Sequence, residues 1–238
     1  MTFAVDGFTG ATGTGPSTTS IAAALTTSNS CVIWAAVQNE KGASGKVTTP
    51  STITDNSGLG LTWVLRADVE DGYGNGLTEL WSAVSPQALS GVTITATFAG
   101  ATENVAIIVF GTDGVNTVSL LDPNGSLPVQ ANSTSSPNTV SFSTSNAPDF
   151  GLLVIGAGNG AITGVSGSWT LLATAQITSG YNFSSDLQVY YQQFLGQQTG
   201  LSTAVSTNGG DSSAVLAVAL NAAPAPTVTR ARCVLVGF

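Results

Sequence analysis

The sequence predicts an all-β protein, a two-sheet antiparallel sandwich of jelly-roll type built from two duplicated halves. Short runs rich in Val, Ile, Thr and aromatic residues are separated by Gly, Asn, Ser and Pro, which is typical of strands joined by turns. No segment combines an apolar period of about 3.6 residues with helix caps. Hydrophobic residues make up 42% of the 238-residue chain, enough for a substantial core.

Two successive sets of strands are expected. The first comprises residues 2–6, 19–26, 31–38, 62–69, 77–84, 91–98 and 104–111, and the second comprises 118–120, 138–144, 150–157, 168–176, 186–194, 201–207 and 213–221. Apolar residues alternate with threonine along 92–98, which indicates a half-buried strand. Residues 106–110 and 214–220 are apolar on both faces, so we expect central strands covered on both sides, or strands flanked by a neighbouring subunit.

The two sets match in order, which indicates an internal duplication. The tryptophan strand TWVLRA at 62–67 corresponds to SWTLLA at 168–173, and TELWSA at 78–83 corresponds to DLQVYY at 186–191. The two copies are about 106 residues apart, from Trp63 to Trp169. A solenoid would need more than two repeats, so we expect the copies to form one sandwich.

We expect one duplicated sandwich over residues 1–222, with halves of about 1–111 and 112–222 and a long crossover at 112–137. Two separate Ig-like domains joined by that crossover segment are the alternative. Residues 223–238 read as a Pro/Ala linker followed by a strand-like tail that has no counterpart in the other half. The tail residues expected to dock on a neighbouring subunit are Arg230, Arg232, Val234, Leu235, Val236 and Phe238.

The charge pattern excludes several partners. Charged residues make up 8% of the chain, and the net charge is −8 with five basic residues. A nucleic-acid surface needs clustered Lys and Arg, and the pairs Lys41/Lys46 and Arg230/Arg232 make no groove. No apolar run approaches ~18 residues, so no membrane insertion is expected. The residues after Met1 carry neither the basic nor the apolar region of a signal peptide.

The chain has no histidine. This removes Ser-His-Asp and Cys-His catalytic groups and most zinc sites. The two cysteines, Cys31 and Cys233, lie far apart in apolar runs, and we expect two buried thiols, with a disulfide as the alternative. A protein without enzymatic activity and without a cofactor is therefore expected.

The order of motifs in the first half resembles that of a broad group of β-sandwiches. The turn Asp55-Asn56-Ser57-Gly58 precedes the Trp63 strand, a Gly-rich loop, Leu80-Trp81, and the strands VTITATF and NVAIIVFG; Trp169 marks the second half. This pattern is similar to jelly-roll or concanavalin-like sandwiches of bacteriophage virion proteins and bacterial surface proteins, over roughly residues 2 to 222. The resemblance implies a phage particle component: a head decoration protein, a head fibre or a piece of a tail fibre.

The loop EDGYGNG at 70–76 is the densest acidic feature. Oxygen-rich loops containing Gly can bind Ca²⁺. The candidate ligands are Asp68, Glu70, Asp71 and Asn75. The alternative is a solvated hairpin in which Gly and Asn permit a positive φ, because the alternating ligand positions of an EF-hand are absent.

Aromatic residues offer a second kind of site. Exposed rings beside Asn, Asp and Gln can bind sugars. The candidates for a glycan or partner contact are Tyr73, Trp81, Tyr190 and Tyr191, with Tyr181 as a further ring. Core packing or a subunit interface is the alternative, because interfaces also favour Tyr and Trp.

A glycosidase built on Glu79 and a second acid is a third hypothesis. Glu79 lies two residues before Trp81, hence on the same face of a strand. The second half has Gln188 and Tyr190 at the corresponding positions, so the fold does not require the acid.

Together these features predict a non-enzymatic bacteriophage virion protein, a capsid decoration, cement or head-fibre component that packs through its sandwich and terminal arms. Its expected partners are copies of itself and other virion proteins such as the major capsid protein. The alternative is a glycan- or receptor-binding module of a tail fibre or bacterial adhesin, whose ligand would be a host surface glycan.

Overall fold

The fold is entirely β-structure within the residues described. The computed structural model describes residues 3–29, 31–41, 45, 47, 49–177, 184–208 and 212–224. The strands in chain order are β1 (Ala4–Leu25), β2 (Val32–Glu40), β3 (Thr52–Asp55), β4 (Val64–Glu70), β5 (Gly76–Val84), β6 (Val92–Asp113), β7 (Val129–Ser133), β8 (Asn138–Phe142), β9 (Asp149–Gly158), β10 (Ile162–Val165), β11 (Thr170–Ile177), β12 (Ser185–Phe194), β13 (Leu201–Thr207) and β14 (Ser212–Asn221). Within this part of the chain no helix is long and apolar enough to cross a membrane.

The strands form three antiparallel sheets, which confirms the predicted all-β antiparallel class. The first sheet has the order β1-β6-β2-β5-β4, with β3 also paired to β6. The second has the order β11-β12-β9-β14-β7, and the third, smaller sheet has the order β10-β13-β8. The sequence predicted two sheets; a third forms because the central strands of the second sheet are apolar on both faces and need a cover on each.

The long strands β1 and β6 run through two different environments. Their ladder extends from Ala4–Asp113 to Leu25–Val92, with register shifts on either side of Thr18. Residues 104–112 of β6 pair with β2, whereas residues 94–97 pair with β3. Such irregularities let a strand bend without ending. β6 is therefore one strand where the sequence predicted two, at 91–98 and 104–111.

Apolar side chains on alternate positions point into different clusters. Trp34 of β2 shares a cluster with Leu152 of the second sheet, whereas its neighbour Ile33 packs in a cluster confined to the first half. In β9 the next residue, Leu153, packs with Val205 of β13. The β1-β6-β2-β5-β4 part of the first sheet and the second sheet are thus two five-stranded arrays that pack face to face. Each array is covered on its other face by a smaller layer.

The strands predicted to be covered on both sides are indeed central. Every residue of 106–110 and 214–220 is buried. Trp34 is fully buried between the two five-stranded arrays and stacks on Phe110 with the ring centroids 6.3 Å apart. Its indole N–H donates to Thr112 Oγ1 at 2.9 Å, which satisfies the one polar atom of the ring.

Several strand predictions are wrong. The strands β3, β7 and β10, each of four or five residues, were not expected. The segment 118–120 is not a strand. Val118 is 96% exposed, and the side chain of Asn116 accepts the N–H groups of Val118 and Ser119 at 3.0 and 3.1 Å, which makes a turn.

Some predictions concern residues outside the described part of the chain. These residues are Lys46, Tyr181, Arg230, Arg232, Cys233, Val234, Leu235, Val236 and Phe238.

Candidate functional site

The acidic loop at 70–76 is the hairpin between β4 and β5. Asp71 is 6% exposed, and its Oδ1 accepts the backbone N–H groups of Tyr73 at 3.0 Å and Asn75 at 2.9 Å. Its own N–H donates to the carbonyl of Gly76 at 2.9 Å. Gly74 has a φ of 71°, which glycine adopts without strain. One oxygen of Asp71 is therefore used to shape the turn.

The other oxygen of Asp71 reaches the seam between the two five-stranded arrays. Asp71 Oδ2 accepts the hydroxyl of Ser212, on β14, at 2.8 Å. Glu40, the last residue of β2, is buried beside it, and its Oε1 accepts Gln38 Nε2 at 2.7 Å. Burial raises the pKa of Glu40 well above its usual value and the Asp71 carboxylate raises it further, while the hydrogen bond from Gln38 and the nearby Ser185 hydroxyl oppose the shift.

The remaining calcium candidates lie elsewhere on the hairpin. Asp68 is opposite Glu79 in the ladder of β4 and β5, and Glu70 is opposite Leu77. Asn75 contributes its backbone, through the N–H that Asp71 accepts. Asp71 thus lies beside Glu40. Asp68 acts on Glu79 instead, because the charge of Asp68 helps to raise the pKa of Glu79.

Glu79 is fully buried and surrounded by donors. Its carboxylate accepts the backbone N–H of Ser51 at 3.1 Å, the Ser51 hydroxyl at 2.7 Å, Asn39 Nδ2 at 3.2 Å and the Trp81 indole N–H at 2.7 Å. Burial raises the pKa of Glu79, and the hydrogen bonds from Trp81 and Ser51 limit the rise. The carboxylate braces three segments of the chain and is closed to a substrate in this conformation.

The aromatic candidates belong to different parts of the core. Trp81 packs on the cluster of the first half, Tyr190 on that of the second half and Tyr191 on the shared cluster. Tyr73, on the hairpin, is 55% exposed. These four rings do not make one platform.

The motifs that carry the resemblance are used in local bracing. The half-buried Trp63 donates its indole N–H to Asp55 Oδ2 at 3.0 Å. Burial would raise the pKa of Asp55, but hydrogen bonds from Ser57 and Trp63 outweigh it and lower the pKa. Trp169 is also half-buried and donates to Thr203 Oγ1 at 2.9 Å.

Sequence reasoning missed a pair of loops capped by carboxylates. Asp6 accepts the backbone N–H groups of residues 28–29 at 2.8 to 3.0 Å. Asp122 accepts those of residues 145–146 at 2.9 to 3.0 Å. The available signal was the tripeptide TSN, which occurs at 27–29 and again at 144–146.

Further titratable groups lie beside these loops. In the described residues, Asp6, Cys31 and Asp113 form a group whose side-chain ligand atoms lie within 4.8 Å of one another. Cys31 is a free, buried thiol, and burial raises its pKa to about 12. Beside the second loop, burial and the neighbouring Asp122 carboxylate raise the pKa of Asp149 to about 6.

Comparison of the chain with protein-family models, with curated proteins and with solved structures found no match.

Proposed function

We propose that the chain is a non-enzymatic structural component of a bacteriophage particle, of the decoration, cement or head-fibre type. The main support is that two acids considered as site residues, Asp71 and Glu79, form their hydrogen bonds inside the fold. Asp71 and Glu79 are buried and accept hydrogen bonds from the segments they brace. Buried polar groups that hold the fold rigid are suited to a protein that acts by packing against other chains.

The proposal includes an internal duplication of one jelly-roll unit. The order β1-β6-β2-β5-β4 in the first sheet corresponds, strand for strand, to β7-β14-β9-β12-β11 in the second. The ladders β4–β5 and β11–β12 both shift register once, at residues 65–67 and at residues 171–173. A shared bulge at matching places is the kind of feature that copies of one unit keep.

Matching side-chain pairs also support the duplication. In the first half Trp81 donates its indole N–H to Glu79 at 2.7 Å. In the second half Tyr190 donates its hydroxyl to Gln188 at 2.5 Å. In both pairs the partners are two residues apart on corresponding strands. The same hydrogen bond therefore forms with a neutral amide as well as with a carboxylate.

Exposed apolar side chains support contacts with copies of the chain or with other particle proteins. Phe8 is 55% and Leu171 49% exposed, and both line one shallow cavity with Leu172 and Tyr191. Exposed apolar patches of this kind are typical of surfaces that pack against other chains. The low charge content of 8% also suits close packing.

The proposal is tested on purified particles of the source virus. We expect the chain at a fixed copy number by quantitative mass spectrometry and on the capsid surface by immunogold electron microscopy. Deleting residues 224–238 should abolish incorporation while the remaining chain stays folded, and Tyr73→Ala serves as a control that incorporates normally. A chain absent from washed particles contradicts the proposal, and normal incorporation of the truncated chain contradicts the role of the tail.

The alternative, a glycan-binding module, rests on the exposure of Tyr73 at the β4–β5 hairpin. A glycan array would then show specific binding that Tyr73→Ala removes. Trp81→Ala is the poorer test, because it also takes a hydrogen bond from the buried Glu79. An array without specific binding removes this alternative.

A further inference from the structure

A small space lined by oxygen atoms lies at the seam of the two five-stranded arrays. Two glycines border it, and a side chain at either would enter it. A Cβ on Gly158 would lie 2.8 Å from Glu40 Oε1, 3.1 Å from Ser212 Oγ and 3.2 Å from Asp71 Oδ2. A Cβ on Gly76 would lie 3.3 Å from the same Asp71 oxygen and 2.9 Å from Glu40 Cγ. Glu40 Oε1 and Asp71 Oδ2 therefore both lie against Gly158, where the absence of a side chain lets them approach.

Two buried oxygens at this place have no hydrogen-bond partner. They are Oε1 of Gln38 and Oε2 of Glu40, in residues that are 2% and 1% exposed. Gln38 has already committed its amide nitrogen, which donates to Glu40 Oε1 and to the carbonyl of Ala157 at 3.2 Å. Unpartnered acceptors are rare in protein interiors, because each loses its bonds to water on burial. They indicate a missing donor or a missing cation.

Charge favours the cation. Among the described residues, the charged group that acts on the pKa of Glu40 is another carboxylate, Asp71. Two adjacent carboxylates are costly in a buried place unless one of them is protonated or a cation lies between them. The Ser212 hydroxyl lies beside Asp71, and Ca²⁺ prefers oxygen ligands, among them carboxylates.

We propose that Glu40 and Asp71 bind a divalent cation, Ca²⁺, at this place in the seam, with the Ser212 hydroxyl beside them. The ligands come from the end of β2 and from the β4–β5 hairpin, and Ser212 begins β14. A bound ion would tie the hairpin of the first half to the second half. The site differs from the set suggested by the loop sequence, because it shares only Asp71 with that set.

The site is tested on the full chain after removal of metal with a chelator. We expect isothermal titration with CaCl₂ to give saturable binding of one ion per chain, and added Ca²⁺ to raise the melting temperature. Glu40→Gln keeps the size of the side chain but removes one charge, and it should weaken Ca²⁺ binding by at least about tenfold, since ligand charge sets affinity. Asp68→Asn and Glu70→Gln on the same hairpin are matched controls that should bind as the wild type does.

Three outcomes would overturn the proposal. They are no Ca²⁺ binding by the wild type in the titration, binding by Glu40→Gln as tight as that of the wild type, and a loss of binding in the controls equal to that in Glu40→Gln. Should Glu40→Gln fail to fold by circular dichroism, anomalous diffraction from wild-type crystals grown with CaCl₂ decides the matter. A peak between Glu40 and Asp71 supports the site, and its absence there refutes it.

Discussion

Replacing Asp149 by Asn should make the protein more stable near neutral pH. Asp149 begins β9, is fully buried and faces the Asp122 carboxylate across the second capped loop. Both carboxylate oxygens of Asp122 accept backbone N–H groups, at 2.8 to 3.0 Å. Burial and the facing Asp122 charge therefore both disfavour the ionised form of Asp149. In the proposed duplication its counterpart is the neutral Cys31.

The pKa of Asp149 determines the sign and the size of the effect. Its usual value of 3.8 is raised to about 6 in the fold. The folded state thus holds the proton more tightly, and the stability that protonation contributes is fully present below the usual pKa and lost as the pH rises through about 6. One pKa unit is about 1.4 kcal/mol, which sets an upper limit of about 3 kcal/mol. Relaxation of the fold around the buried charge reduces our expectation to about 1 to 2 kcal/mol.

Urea denaturation of the wild type and of Asp149→Asn, at about pH 7.5 and about pH 4, measures this difference directly. Other buried acids titrate equally in both proteins, so their contributions cancel in the comparison. We expect the variant to be more stable at the higher pH, with a difference that shrinks at the lower pH. Asp122→Asn is the control and should be less stable than the wild type at about pH 7.5, because an amide has one acceptor oxygen where the carboxylate uses two. A difference for Asp149→Asn that does not change with pH would refute the reasoning.

Three further predictions concern buried side chains. Trp34→Ala empties the space between the two five-stranded arrays and should cost about 3 to 5 kcal/mol in urea denaturation. Glu79→Ala leaves the donors of Ser51, Asn39 and Trp81 without their acceptor and should cost about 3 kcal/mol or more, whereas Glu79→Gln should cost clearly less, because the second half uses an amide in this brace. In a Cys233→Ser background the Cys31 thiol should react with a thiol reagent only on unfolding, because it is buried and its pKa is raised to about 12.

Each of these has a result that contradicts it. A loss below about 1 kcal/mol for Trp34→Ala would mean that the two arrays do not share a packed core. Equal losses for Glu79→Ala and Glu79→Gln would mean that the charge of Glu79, not its acceptor atoms, supports the fold. Rapid reaction of Cys31 in the native protein would place it near the surface.

The sequence predicted most long strands because their signal is local. Central strands such as β14 are apolar on both faces, and half-buried strands alternate, so composition and period are enough. The same reasoning missed β3, β7 and β10, which are four or five residues long and pair with strands far away in the sequence. The bend in β6 was hidden for a similar reason, as a register shift depends on the partner strand.

The acidic hairpin at 70–76 shows most clearly what the sequence determines and what only the tertiary structure determines. The sequence alone determined that 70–76 is a turn, because Asp, Gly and Asn have turn conformations that do not depend on distant residues. Only the tertiary structure decided that Asp71 meets Ser212, 141 residues away in the chain, and lies beside Glu40, while Asp68 acts on Glu79. The chemistry of a carboxylate depends on its burial and on the groups around it, and in this fold those groups come from strands far apart in the sequence.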